Sequence, residues 1–158
     1  MGIFTGAFML GSATKLTEED ADAFMSEFEK IIADIDAWGI FTHNTVIALP
    51  MFVPGLGVAW GAFSAWSTGT AFAAITISNP GLGGINPLAI LFSTPFGLME
   101  VTAYSIGMSR SFILIRSIVK KTGLGRHAAP TLAEIGVVLL LLLAGGYVEF
   151  YLITAAGS

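Results

Sequence analysis

Residues 37–99 read AWGIFTHNTVIALPMFVPGLGVAWGAFSAWSTGTAFAAITISNPGLGGINPLAILFSTPFGLM and contain no Asp, Glu, Lys or Arg. A membrane-spanning helix requires about 20 predominantly apolar residues, so this stretch is long enough for about three crossings. One charged side chain at the centre of a spanning helix costs roughly 2.5–3.5 kcal/mol on the insertion scale, so spanning segments avoid charge. A water-soluble domain of this size would have to expose part of the stretch to water. The stretch therefore predicts an integral membrane protein.

The composition of the whole chain agrees with that prediction. Hydrophobic residues make up 54% of its 158 residues, charged residues only 11%, and the mean hydropathy is +0.80. Its 19 glycines suit membrane helices, in which Gly allows two backbones to approach closely. The absence of cysteine excludes disulfides, thiolate metal sites and cysteine nucleophiles. We expect an all-α fold that forms one domain, residues 1–158, and crosses the cell membrane several times.

An acidic amphipathic helix is predicted before the first crossing, over residues 17–37. Eight of the eleven acidic residues lie between Glu18 and Asp36, and Thr17 with Asp20 can cap the helix start. Apolar residues recur at helical spacing on the other face: Phe24, Phe28, Ile31, Ile32 and Ile35. Helices that lie on anionic lipid usually have basic polar faces. We therefore expect the apolar face to pack on protein, either on its own bundle or on a neighbouring subunit.

The remaining pattern predicts about four membrane helices. Turn-rich Pro and Gly segments separate them, and they cover residues 40–53, 57–78, 88–120 and 132–154. Residues 1–14 are apolar but short, and we interpret them as a tail that lies against the membrane or a partner. Lipid bilayer and other integral membrane subunits are thus the expected surroundings of the chain.

The basic residues indicate the orientation of the chain. Five of the seven lie between Arg110 and Arg126, and cytoplasmic connections carry an excess of Lys and Arg. We therefore predict that residues 110–126 are cytoplasmic and, with four crossings, that both termini lie outside. If residues 40–53 do not span, the acidic helix moves to the inside. The cluster is short and lacks interleaved aromatic residues, so we expect no nucleic-acid partner.

Small residues form a regular stripe in the second predicted crossing. They recur every four residues, which places them on one helix face: Gly57, Gly61, Ala65, Gly69 and Ala73. Such a stripe allows another helix to approach closely. We predict that it is a helix–helix contact, and we expect the chain to pack against other membrane subunits, with a homo-oligomer as a further alternative.

Glu100 is the one acid in the middle of a hydrophobic segment. An ionisable group there predicts either a proton or cation site or a hydrogen bond that joins two helices. We favour the structural interpretation, because the sequence shows no second carboxylate beside it, and we name Thr94, Thr102 or His43 as its partner. His43 and Asn44 together are expected to form hydrogen bonds to another helix.

Chemistry-bearing motifs are sparse elsewhere. A metal site needs several converging ligands, but His43 and His127 lie at the ends of different helices. No Ser lies in a G-x-S-x-G motif, and the Gly-rich segments do not follow a strand. We therefore predict no metal, no cofactor and no enzymatic activity of the chain by itself.

One motif resembles a known family. Residues Pro95–Glu100, PFGLME, are similar to the P-H-G-x-x-E signature of the stage II sporulation protein M family. The resemblance covers residues 41–107, and its other matching features are Phe41–Asn44 and the Gly-rich helix that follows. Phe96 stands where that family usually has His, so the polar pair formed by the family's His and Glu is lost here. The resemblance implies a membrane scaffold that positions other proteins without catalysis.

These observations predict a small non-catalytic scaffold or accessory subunit that packs against other membrane proteins in a larger complex. One specific alternative is an accessory subunit of a membrane-embedded oxidoreductase, such as the copper membrane monooxygenase of ammonia-oxidising archaea. A transporter or channel component that uses Glu100 is the alternative from another class.

Overall fold

The structure is a computed structural model that describes residues 1–32, 35–79, 81 and 84–156, without the side chains of residues 28, 29, 31, 32 and 156. Within this part of the chain every regular element is helical, which confirms the prediction of an all-α fold. The α-helices are α1 Gly2–Ser12, α2 Glu18–Ile32, α3 Ala37–Ala48, α4 Leu56–Ser78, α5 Pro87–Ser93, α6 Pro95–Val119 and α7 Gly125–Ala156. A short 3-10 turn, Leu49–Phe52, follows α3.

Membrane crossing is supported for one or two helical segments of the described chain, on length and composition alone. Gly125–Ala155 of α7 is long and apolar enough to span, with a mean hydropathy of 2.1, and the bent pair α5–α6 adds a second span if the two helices cross together. This number is smaller than the predicted four. Helix α4 has sufficient length at 23 residues, but its Gly, Ser and Thr residues make it less apolar.

The single helix predicted over residues 88–120 is wrong, because the chain bends by 93° between α5 and α6. Pro95 occupies the first turn of α6, where its missing N–H is harmless, and Thr94 caps that helix by accepting a hydrogen bond from the Gly97 amide at 3.2 Å. Residues before Pro avoid helical ψ, and Thr94 has ψ 135°. Gly97 has no room for a Cβ beside the Leu91 carbonyl. Proline and glycine together therefore produce the bend.

Residues 1–14 are not the peripheral tail that the sequence suggested. Residues 2–12 form α1, which packs along α4 inside the bundle. Phe4 and Phe8 are each 3% exposed, with the Phe4 ring 5.7 Å from Tyr104 and the Phe8 ring 6.4 Å from Phe72. The hydropathy of an 11-residue apolar helix does not predict whether the helix is buried. The position of α1 is therefore known only from its packing against α4.

Helix α2 also packs on the chain's own bundle, which is one of the two predicted alternatives, the other being a neighbouring subunit. It contacts α4, and Ala21 is fully buried. The predicted cap is present, since Thr17 Oγ1 donates to Asp20 Oδ2 at 2.7 Å and the Asp20 amide donates to Thr17 Oγ1 at 3.1 Å. The side chains of Phe28, Ile31 and Ile32, which belong to the predicted apolar face, lie outside the described part of the structure.

Helix α7 begins at Gly125, earlier than the predicted residue 132, and Pro130 lies inside it. It packs mainly against α6 and α3. Pro130 has only five helical residues before it, so little of the hydrogen-bond ladder is interrupted. Helices α3, α6 and α7 thus form one side of the bundle, and α1, α2 and α4 form the other.

Candidate functional site

The small-residue stripe of α4 is buried along its whole length. All five residues from Gly57 to Ala73 are buried, and the glycines are approached by different parts of the chain. A Cβ at Gly57 would overlap the Met51 carbonyl, and one at Gly61 would overlap the Met108 side chain. A Cβ at Gly69 would overlap the Phe8 carbonyl of α1.

The contact with α1 is close from both sides. Gly11 of α1 lies so near to α4 that a Cβ would overlap the Trp66 carbonyl and lie 2.9 Å from the Thr70 amide nitrogen. Two glycines, Gly11 and Gly69, therefore allow two backbones to touch without side chains between them. The stripe is used within the chain, so it offers no free surface to another subunit in this arrangement.

Glu100 accepts a hydrogen bond from a neighbouring helix. Asn44 Nδ2, on α3, donates to Glu100 Oε1 on α6 at 2.7 Å, and Asn44 is 8% exposed. None of the three partners suggested from the sequence makes this bond: Thr94 caps α6, and His43 points to the exposed surface of α3. The expected bond from Asn44 to another helix is present, with Glu100 as its acceptor.

A second carboxylate lies near Glu100, contrary to the sequence-based expectation. The charge of Glu149, on α7, acts on Glu100, and both carboxylates act on Tyr104. Asn44, Glu100, Tyr104 and Glu149 are called the polar cluster from here on. Nothing in the sequence links Glu149 to Glu100, because 49 residues separate them.

The polar cluster can do one of two things chemically. Glu100 and Glu149 repel each other when both are charged, so uptake of a proton or of a small cation by either carboxylate would relieve the repulsion. Alternatively the Asn44–Glu100 bond simply ties α3 to α6. Among the residues that the structure describes, no group of three or more Asp, Glu or His side chains is placed to hold a metal ion.

Arg110 forms a two-bond ion pair that was not predicted. Its Nε donates to Glu134 Oε2 at 2.7 Å, and its Nη2 donates to Glu134 Oε1, so the pair joins α6 to α7. Arg110 is 8% exposed. Although it begins the basic segment 110–126, its charge is matched, and it contributes little to the positive surface there.

Two surface cavities lie at opposite ends of α7. One, of about 450 Å³, is bounded by the start of α3 and the end of α7 and includes Asp36, Trp38 and Tyr151. The other, of about 410 Å³, lies where α6 connects to α7 and is called the basic cavity. Its lining residues are Phe112, Ile113, Arg116, Ser117, Lys120, Thr122, Arg126 and His127.

No protein-family model, curated protein or solved structure matches this chain. The fold and the site therefore define only a coarse class. In its described residues the protein is all-α, with one or two helical segments suited to a membrane and a polar cluster between three helices. The resemblance to the stage II sporulation protein M family stays a prediction.

Proposed function

We propose that this chain is a small non-catalytic subunit of the cell membrane that crosses it several times and packs laterally against other integral membrane proteins. The crossings in this proposal are α3 with its 3-10 turn, α4, the bent pair α5–α6, and α7. The main support for this proposal is the outer face of α4. The small-residue stripe on the opposite face of this helix is covered by the chain itself, but the outer face remains exposed.

That outer face has the composition of a protein contact. Phe63 and Trp66 are 55% and 42% exposed, with ring centroids 6.1 Å apart, and Ser67 and Thr68 beside them are exposed. Aromatic side chains are enriched in the cores of protein interfaces, whereas tryptophan in lipid prefers the bilayer surface. Trp66 lies near the middle of α4. A neighbouring protein would cover both the rings and the hydroxyl groups.

Helix α7 provides the contrast. Val137 and Leu140 are 48% and 68% exposed, and the run around them is aliphatic. Branched aliphatic side chains suit acyl chains and need no specific partner. We assign α7 to the lipid and α4 to the partner, which also orients the bundle within a complex.

The motif that resembles the signature of the stage II sporulation protein M family supports a scaffold in this proposal. Pro95 begins α6, Gly97 allows the close bend, and Glu100 accepts the bond from Asn44. Each of the three residues thus has a structural role within the bundle, as expected in a protein that positions other proteins without catalysis.

The test is co-purification from native membranes in mild detergent, followed by native gel migration and mass spectrometry of the co-migrating chains. We expect the wild-type chain in a complex larger than itself. Phe63→Ala with Trp66→Ala should release it, while the matched pair Val137→Ala with Leu140→Ala should leave the complex intact. Wild-type chain migrating alone, or equal behaviour of the two double variants, would contradict the proposal. Self-association would show as a complex of this chain only.

A transporter or channel component is the second candidate, favoured by the second carboxylate at the polar cluster. Glu100 and Glu149 come from different helices, so a proton or cation held there would link α6 to α7. Substituting Glu100 by Gln distinguishes this candidate from the scaffold, as described in the Discussion.

A further inference from the structure

The basic cavity collects positive charge from both sides of the α6–α7 connector. Arg116 and Lys120 come from the end of α6, and Arg126 comes from the first turn of α7. Arg126 Nε donates to His127 Nε2 at 3.2 Å, and Ser117 Oγ lies 2.8 Å from the same nitrogen. His127 thus holds the Arg126 side chain in place without supplying a carboxylate that would compensate its charge.

Among the side chains that the structure describes, no carboxylate forms an ion pair with these cations. In the described part of the chain, the ion pairs are Lys30 with Glu27 and Arg110 with Glu134, and neither includes a residue of the cavity. An uncompensated group of three cations attracts an anion, and a planar guanidinium matches phosphate oxygens especially well.

The cations are also not required to cap α6. The last carbonyls of that helix accept backbone N–H groups of the connector, with Lys120 bonding to Arg116, Lys121 to Ile118 and Thr122 to Ser117 at 3.0–3.1 Å. Lys121 and Gly123 have φ values of 53° and 81°, which turn the chain tightly enough to make these bonds. The side chains of Arg116 and Lys120 are therefore free to bind a ligand.

An apolar wall adjoins the cations. Phe112 and Ile113 line the same cavity and are 58% and 38% exposed, at the end that continues along α6 away from the connector. A free phosphate would use only the polar end. A phospholipid would use both, with its headgroup at the cations and its acyl chain on the wall.

We propose that the basic cavity binds the phosphate headgroup of an anionic phospholipid, with the adjoining acyl chain against Phe112 and Ile113. Basic pockets at the cytoplasmic ends of membrane helices are suited to such headgroups, and residues 110–126 are predicted on that side. The proposal rests on membrane location and not on the partner contact of α4, so either proposal can fail alone.

The experiment titrates the full-length protein in detergent with phosphatidylglycerol, phosphatidylcholine or inorganic phosphate and counts bound molecules by native mass spectrometry. The wild type should bind phosphatidylglycerol at least about tenfold more tightly than phosphatidylcholine, because the choline charge cancels the phosphate. A loss of roughly 100-fold in phosphatidylglycerol affinity is expected when all three cations are neutralised, at about fivefold for each. The variant is Arg116→Gln, Lys120→Gln and Arg126→Gln.

The chain offers a control of equal charge, since three other basic residues lie outside the cavity and outside the Arg110 pair. Neutralising them should change phosphatidylglycerol affinity less than about threefold, because none of the three side chains lines the cavity. The control variant is Lys15→Gln, Lys30→Gln and Lys121→Gln. If the cavity variant does not fold, Arg126→Gln alone should still lose about fivefold.

Three results would overturn the proposal. Equal losses in the two triple variants would show a diffuse surface field in place of a site. Equal wild-type affinities for the two lipids would show that the headgroup charge is not recognised. Inorganic phosphate that binds as tightly as the lipid and displaces it would assign the cavity to a soluble phosphate.

Discussion

Replacing Gly69 with alanine should loosen α1 from α4. The added Cβ would overlap the Phe8 carbonyl and lie 2.8 Å from the Ser12 amide nitrogen. Both atoms belong to the backbone, so no side-chain rotation relieves the overlap and α1 has to move as a unit. Gly11→Ala makes the reciprocal overlap with the Trp66 carbonyl.

The magnitude follows from two opposing effects. Overpacking a close contact costs about 1–3 kcal/mol, whereas Gly→Ala in a helix gains about 0.5–1 kcal/mol from backbone entropy. Subtracting the second range from the first leaves a net loss of unfolding free energy of about 0–2.5 kcal/mol, with a central value of roughly 1.3 kcal/mol. For a chain of this size each 1 kcal/mol corresponds to roughly 2–4 °C in melting temperature, so the central value corresponds to a decrease of about 3–5 °C.

Thermal unfolding in detergent, followed by circular dichroism, measures this decrease. Gly6 in α1 and Gly136 in α7 are matched controls, because nothing lies within 4 Å of a Cβ at either position. Gly6→Ala and Gly136→Ala should leave the melting temperature unchanged or raise it. The double variant of Gly11 and Gly69 should lose less than the sum of the single losses, because moving α1 once relieves both overlaps.

A melting temperature that rises equally for Gly69→Ala and Gly6→Ala would refute the reasoning. It would mean that α1 does not lie against the stripe in the folded protein. Additive losses at Gly11 and Gly69 would also contradict it, since they would assign the two glycines to separate contacts.

Three further predictions concern polar groups. Glu100→Gln should preserve the assembly and the activity of the parent complex. Glu100→Leu should be more damaging, because it leaves Asn44 without its hydrogen-bond acceptor, at a cost of about 0.6–1.7 kcal/mol. A Glu100→Gln variant that assembles normally but loses ion-coupled activity would support the transporter function instead. Glu134→Gln should lower the unfolding free energy by about 2–3 kcal/mol, because it leaves the buried Arg110 cation unpaired. The double variant Arg110→Met with Glu134→Leu should lower it by a smaller amount, because no unpaired charge remains. Equal losses for the two variants in denaturant titrations would contradict this prediction. The substitution Thr122→Cys tests the predicted cytoplasmic position of residues 110–126. The new cysteine should not react with an impermeant thiol reagent in intact cells, but it should react in inverted vesicles. Labelling in intact cells would show that the predicted orientation is wrong.

The α4 stripe illustrates what can be predicted from sequence. A four-residue recurrence of small residues is a local property of one helix, and it indicated the face on which backbones approach. It did not indicate what approaches. The covering helix α1 was interpreted as a tail, because an 11-residue apolar segment has the same hydropathy whether it lies on a membrane or inside a bundle.

The polar contacts were harder to predict for a related reason. Asn44 and Glu100, Arg110 and Glu134, and Glu100 and Glu149 are brought together by the packing of different helices. In a nearly uniform apolar sequence, periodicity does not distinguish the inner face of a helix from the outer one. The residue types therefore predicted polar links between helices, but the partners required the fold.

The docking of α1 on α4 also has a consequence for the order of synthesis. Helix α1 is made before α4, and roughly 60 residues of chain, which take about 3–12 seconds to translate, separate Ser12 from Gly69. The side chains of Phe4 and Phe8 stay uncovered during that interval, because α4 is not yet available to α1. Assembly of this protein therefore requires α1 to stay available for docking until its binding site on α4 has been made.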